Sequence, residues 1–435
     1  MNHAVDADTA SLRRCGRFAC VVAALAAGAL IAAVPHRARA QDSASEDRCA
    51  AALQNAPQPP AKATPVLLRV LQPSIEPVPA TDGLIHLAYV TQVMNALTRP
   101  ADILEVVAVD PTADFVPTGR NIELDPEGQD VAGKVMRIGS SPFAPDFVTR
   151  LPAESWGLML FDVTYADQAQ IPRLLAHAIT VANYPAGTPG VPALTDPVPV
   201  GCVPLAVIHP PLVGHGWLAL NGCCTFAVYH RALVNFVNGD PWTSEHFAID
   251  FIQLGPNNSA RNGPPEALSS WFAYGTPVLA VAPGVVTEAV DGIPDSPVGM
   301  IPNITTVEGS AGNHIILDIG GGRYVGYFHL KPGTIPARVR KGAVLRPGEL
   351  IGRVGNSGAS SSPHLHFQLM NLPSAYKSHG LPFVFDTQLL EGRLSEANAQ
   401  NADAGAAVTI DRTGVGVKRN LMSARNGVFG FNLSQ

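Results

Sequence analysis

His364 and His366 flank Leu365 in an apolar run that continues through Phe367, Gln368 and Leu369. On an extended strand, side chains alternate between faces, so the two imidazoles project together with Cα atoms about 7 Å apart. That spacing suits one metal ion or one scissile bond. A histidine among Leu365, Phe367 and Leu369 brings ring nitrogens that must find partners, which a purely apolar core does not offer. The chain carries 13 histidines, so one such pair arises readily by chance and the rest of the chain must decide its meaning.

A second constellation lies upstream, in Glu245-His246-Phe247-Ala248-Ile249-Asp250-Phe251-Ile252. From Phe247 onward its β-branched and aromatic content reads as a strand, and Asp250 is an acid inside it. Fully extended, His246 and Asp250 stand about 13 Å apart and cannot share an ion. A bend near His246, which the preceding Gly239-Asp240-Pro241-Trp242-Thr243-Ser244 turn chemistry permits, is what would bring them together. Taken alone, the segment also reads as a surface histidine beside a buried, paired aspartate. Downstream, Asn313–Asp318 and Tyr324–Leu330 read as two strands around the Gly320-Gly321-Gly322 turn, and Gly355-Asn356-Ser357-Gly358 leads into Pro363-His364-Leu365-His366-Phe367.

In that order, His246-x-x-x-Asp250, Tyr327-x-His329-Leu330, Gly355-Asn356-Ser357-Gly358 and Pro363-His364-Leu365-His366-Phe367 resemble the lysostaphin/LytM-type zinc metalloendopeptidases, over residues 245 to about 372. The resemblance implies a small antiparallel β domain, a hybrid of barrel and sandwich, that cuts peptide bonds of bacterial peptidoglycan. It implies one Zn2+ ion held by His246, Asp250 and His366, with His329 and His364 as catalytic histidines outside the ligand set. Two imidazoles and one carboxylate leave a catalytic zinc one open position, and a fourth ligand would close it. His364 and His329 are therefore suited to moving a proton and to steadying an oxyanion, with their division of labour open. Two departures stand out. Gln368 occupies a position where many relatives carry Glu, and residues 287–310 form a long Pro- and Gly-containing segment expected to shape access to the cleft.

The start of the chain sets the compartment. Arg13, Arg14 and Arg17 precede an apolar run from Phe18 to Val34, and Ala38-Arg39-Ala40 offers the small residues that a signal peptidase reads. Residues 1–40 are expected to be a cleaved export signal, by the general or the twin-arginine route. The product would be periplasmic or secreted, with no membrane span after cleavage. Charged residues make up only 15% of the chain while Gly and Pro number 40 and 39, a mix that favours strands and turns over helices. The net charge of −6 contains no basic run, which argues against a nucleic-acid partner.

The expected fold is mainly β: an N-terminal antiparallel β-sandwich followed by the LytM-type domain. Residues 41–64 read as a linker, 65–236 as the sandwich, 237–392 as the metallopeptidase domain and 393–435 as a weakly packed tail. Short β-rich runs at 66–71, 86–93, 103–109, 157–163, 177–181 and 205–208 carry the sandwich. Its histidines, His86, His177, His209, His215 and His230, are scattered and read as structural or surface residues, as do His314 and His379. Asn313 reads as a turn residue that could line the cleft. Of the mature cysteines, Cys202 is expected to pair with Cys223 or Cys224, and Cys49 completes the set. Two other functions compete. A non-catalytic cell-wall-binding or hydrolase-regulating relative would be expected to have lost metal ligands, which this chain retains. A cupin-type oxygenase would want a Glu shortly after the second histidine, and His366 is followed by Phe-Gln-Leu-Met-Asn.

Overall fold

The computed structural model describes residues 49–431 apart from 73, 126, 142–143, 185, 226–228 and 303–305; the export signal read at 1–40 lies outside them. The fold is mainly β and largely antiparallel. In the N-terminal part, one sheet runs in the order Val66–Val70, Ile85–Asn95, Trp156–Tyr165, Val135–Arg137, and a second contains Leu174–Val181 beside Ala101–Asp110. They close on a shared core in which Leu87, Tyr89, Met159 and Phe161 meet Ile103, Val106, Leu175 and Ile179. Alternation along Trp156–Tyr165 gives this strand two buried faces. Met159, Phe161 and Val163 enter that core, while Leu158 and Leu160 face a smaller cluster with Val90, Met136 and Ala232. Buried charge accompanies it, for His86 Nδ1 lies 2.8 Å from Asp162 and His86 Nε2 lies 3.0 Å from Asp82.

The third sheet carries the candidate chemistry. Its central order is Gly284–Val290, Asn313–Gly320, Arg323–Leu330, Leu365–Met370, Ile249–Gln253, Gly214–Leu220, Gly427–Phe431, Gln388–Arg393. The expected limit near residue 237 cuts across this sheet, because Gly214–Leu220 pairs with Ile249–Gln253 in register Leu220↔Asp250. Ala206–Ile208, read as a sandwich strand, pairs in parallel with Phe383–Phe385. The two-residue loop Asn238-Gly239, both with positive φ, joins Asn235–Val237 to Asp240–Trp242 as a tight hairpin.

Aromatic packing backs the sheet. Phe251, Phe367, Phe383, Phe385, Phe429 and Phe431 are all buried within one core, each worth about 1.5–3 kcal/mol of burial. The tail does not hang loose as its Asn-, Ala- and Gly-rich composition suggests. Ser395 caps the helix Glu396–Asp403, and Gly427–Phe431 is a buried strand between Gly214–Leu220 and Gln388–Arg393. The cysteines also pair otherwise than expected: Cys49 with Cys202, and Cys223 with its neighbour Cys224. Cys202 follows Val198–Pro199 on the second N-terminal sheet, whereas Cys223 and Cys224 follow a strand of the third, so the two segments are not neighbouring strands.

Candidate metal and catalytic site

Three adjacent strands set the site. Asp250 on Ile249–Gln253 is directly opposite His366 on Leu365–Met370, and His366 is opposite Phe328 on Arg323–Leu330, one residue before His329. Because side chains alternate, His366 and Asp250 share the cleft face while Phe367, Ile249 and Phe251 fill the core behind them. The cleft holds about 200 Å³ and is lined by Asn221, Tyr229, His230, Glu245, Asp250, Ile301, Phe328, His329, His364, His366 and Tyr376, among others.

A single carboxylate is the focus. Asp250 Oδ1 lies 3.0 Å from His366 Nδ1 and 3.4 Å from His364 Nε2, and Asp250 Oδ2 lies 3.2 Å from His230 Nε2. The opposite nitrogen of each ring is tied to an oxygen acceptor. His230 Nδ1 donates to the Ala248 carbonyl (3.2 Å), His364 Nδ1 to the Ser362 carbonyl (2.7 Å), and His366 Nε2 to Gln368 Oε1 (2.7 Å). The Gln368 amide nitrogen donates to the Ala375 carbonyl, which leaves its oxygen facing His366. Each ring, when neutral, therefore turns a lone pair toward a carboxylate that is itself an acceptor. Asp250 Oδ1 has no hydrogen-bond donor among the described residues, while Oδ2 accepts from Asn221 Nδ2 at 2.8 Å. Acceptors converging on acceptors call for a proton or a metal ion between them.

The spacing fits a metal. Donors bound at 2.0–2.1 Å around a tetrahedral ion lie about 3.3–3.4 Å from one another. The 3.0 Å and 3.2 Å separations from Asp250 to His366 and His230 are close to that, and one ligand atom from each of His230, Asp250 and His366 lies within 4.8 Å of the others. Glu245 brings a second buried carboxylate to the same cleft, 3.8 Å from His230 Nε2. Burial works against ionising Asp250, but the neighbouring His230 and His364 hold its carboxyl well below the usual range. Burial likewise opposes the charge on His364, and Asp250 outweighs it and raises the ring. Burial, reinforced by His364 and His366, keeps His329 well below the usual histidine range.

The Gly355-Asn356-Ser357-Gly358 loop orients the two histidines next to this centre. His329, with φ of 60°, donates from Nδ1 to the Ser357 carbonyl at 2.8 Å, leaving Nε2 as its acceptor. Ser357 Oγ donates to the Leu330 carbonyl (2.8 Å) and accepts from the Asn313 amide (2.9 Å). Ser360 Oγ donates to Asn356 Oδ1 (2.7 Å) and lies 3.2 Å from His364 Nδ1. Gly358 must be glycine, since a Cβ there would lie 2.5 Å from the Gly312 amide nitrogen. Asn313 does not line the cleft. It is fully buried, and its amide bridges the Ile293 and Leu330 carbonyls.

Of the five residues singled out by sequence, the structure brings Asp250, His329, His364 and His366 together. His246 is not among them. The chain does bend there, in the turn over residues 244–247, but the bend sends Glu245 into the cleft and His246 to the opposite side. His246 is 1% exposed, its ring nitrogens have no hydrogen-bond partner among the described residues, and burial, with the Arg231 charge, holds it well below the usual histidine range. Its expected place beside Asp250 and His366 is taken by His230, on the one-turn helix Tyr229–Ala232. A lone histidine in a segment without periodicity offers no spacing signal, and the sequence reading set it aside.

Residues 269–378 match the model of Peptidase family M23. The matched stretch contains His329, His364 and His366 and begins after His246 and Asp250, and over it the resemblance to lysostaphin/LytM-type peptidases holds. Among solved structures, the chain is similar to the catalytic domain of the antimicrobial peptidase lysostaphin from Staphylococcus simulans, at 23% identity over 40% of this chain and 88% of that one, TM-score 0.21. It is also similar to the catalytic domain of the prophage-encoded M23 protein EnpA from Enterococcus faecalis, at 21% identity over 37% of this chain and 85% of that one, TM-score 0.20. No curated protein matches the chain. No helix among the described residues is long and apolar enough to cross a membrane.

Proposed function

We propose that this chain is an exported zinc endopeptidase that hydrolyses peptide bonds in peptidoglycan cross-links or stem peptides. The observation that carries the reading is the convergence of imidazole lone pairs on Asp250. His230, Asp250 and His366 would hold one Zn2+ ion, with His230 in the role the motifs assigned to His246. Bound there, the ion supplies Lewis-acid polarisation of the scissile carbonyl and a water acidic enough to ionise near neutral pH. His329 Nε2, fixed by the Ser357 carbonyl behind it, and His364 Nε2, fixed by Ser362, would take the proton from the attacking water and pass one to the leaving amine. Tyr229, Tyr376 and Ile301 wall the cleft and would exclude water from a bound peptide. Gln368 holds the far nitrogen of His366 and fixes its tautomer.

The family match over residues 269–378 supports a peptidase, and the presence of His230, Asp250, His329, His364 and His366 in one cleft favours it over a binding relative. Export through residues 1–40 would place the enzyme outside the cytoplasm, where its substrate lies. The test is digestion of isolated sacculi by the mature protein and by His366→Ala. New amino termini released by the wild type alone are expected. Sacculus binding without peptide release by either protein would overturn the reading in favour of a cell-wall-binding role.

A further inference from the structure

His230 enters the cleft beside Tyr229 on a helix whose next two residues, Arg231 and Ala232, pack against the N-terminal sheet. Arg231, the next residue, is fully buried and points the opposite way. Its Nη1 donates to Glu123 Oε2 at 2.8 Å, and its Nη2 donates to the Phe161 carbonyl at 3.0 Å. Glu123 is 1% exposed, and Phe161 lies in the middle of the strand Trp156–Tyr165. Ala232 adds an apolar contact, packing into the cluster formed by Val90, Val131, Met136, Leu158 and Leu160. On the cleft side, His230 itself meets the Ala248 carbonyl, Asp250 and, at 3.8 Å, Glu245. Neighbouring residues on one helical turn thus serve two sheets, with the planar guanidinium fork gripping one and the imidazole facing the other.

We propose that Arg231 is a positioning residue, and that the N-terminal sheet, through Glu123 and the Phe161 carbonyl, sets where His230 stands in the metal site. The sheet is then part of the site's construction and not only an appended module. This rests on the reading of His230, Asp250 and His366 as the metal-holding set. A one-turn helix has little stability of its own, so its placement depends on what grips it. Removing the grip should loosen His230 without altering any residue that faces the cleft.

The test is zinc affinity of the full mature chain, measured by competition with a chromophoric chelator, together with the visible spectrum of the cobalt-substituted protein. Arg231→Met alone leaves Glu123 as an unpaired buried charge and is prone to misfold. The double variant Arg231→Met/Glu123→Leu removes both charges and keeps the volume filled. A folded double variant is expected to bind zinc about ten- to hundredfold more weakly, with a cobalt spectrum shifted toward that of His230→Ala. Arg231→Lys should recover part of the affinity through a single hydrogen bond. Wild-type zinc affinity and spectrum in the folded double variant, even with a lowered melting temperature, would make Arg231 a structural residue only and overturn the proposal. Wild-type protein that binds no zinc would overturn the underlying reading of the site, a distinct result.

Discussion

Among the described residues, two buried clusters of histidine and acid are built on opposite principles. In the N-terminal sheet, His86 stands between Asp162 at 2.8 Å and Asp82 at 3.0 Å, so one ring meets two carboxylates. At the cleft the ratio is inverted, with His230, His364 and His366 all turned toward Asp250. Excess acid around one imidazole is satisfied by a proton. Excess imidazole around one carboxylate, with the far nitrogens already tied to oxygen acceptors, would be satisfied by a metal. The first arrangement also has no cleft residue in it, while the second opens into about 200 Å³ lined by Tyr229 and Tyr376. The lesson is that buried His–Asp proximity alone does not mark a reactive site; the direction of the unshared electron pairs does.

Substitutions should separate the two clusters. His366→Ala is expected to have the largest effect, lowering peptide release from sacculi by at least about a hundredfold; colorimetric assay of new amino groups measures it. Asp162→Ala should act on stability instead, costing about 3–5 kcal/mol in urea unfolding because it breaks a buried pair from one side. Zinc affinity of the molecules that remain folded should be unchanged.

The pH dependence sharpens the contrast. Burial opposes the charge on His86, yet Asp162 and Asp82 together raise its pKa to about 10. A pKa raised on folding gives stability that is fully present below the unfolded value of about 6.5 and is lost as pH rises through the folded value. The urea midpoint should therefore fall between pH 7 and about pH 10, and His86→Gln should flatten that fall. The smallest effect is expected from His246→Ala. With its ring on the far side of the turn, hydrolysis should change by less than about tenfold, whereas loss of a true ligand costs more. Activity lost equally in His246→Ala and His366→Ala would return His246 to the ligand set.

Much of the site was legible because strands encode facing in their period. His364-Leu365-His366 announces which side chains share a face, and Asp250 stands out as an acid in an apolar strand. His329 departs from the alternation: with a φ of 60° it joins Phe328 in the cleft, while Tyr327 is in the core. Gly355-Asn356-Ser357-Gly358 was legible as a motif, but not its task of fixing His329 through a backbone carbonyl. His230 was illegible for a different reason. It lies on a one-turn helix in an irregular segment, and what places it is Arg231 gripping Glu123 across 108 positions of sequence. His246 misled because a bend was needed and found, but a turn rotates successive side chains in ways that residue spacing does not determine. The cysteine pairing shares this limit, since Cys49 and Cys202 are 153 residues apart and connectivity follows only from the folded chain. In the tail, an Asn-, Ala- and Gly-rich composition masked Gly427–Phe431, whose Val428, Phe429 and Phe431 are all buried.

The most direct measurement is the zinc content of the metal-stripped and reloaded mature chain, wild type against Asp250→Ala, by elemental analysis after removal of loosely held ion. One equivalent in the wild type and none in Asp250→Ala is the result that follows from imidazole lone pairs gathered on one carboxylate. Wild-type protein that takes up no zinc, or an Asp250→Ala variant that retains a full equivalent, would contradict it.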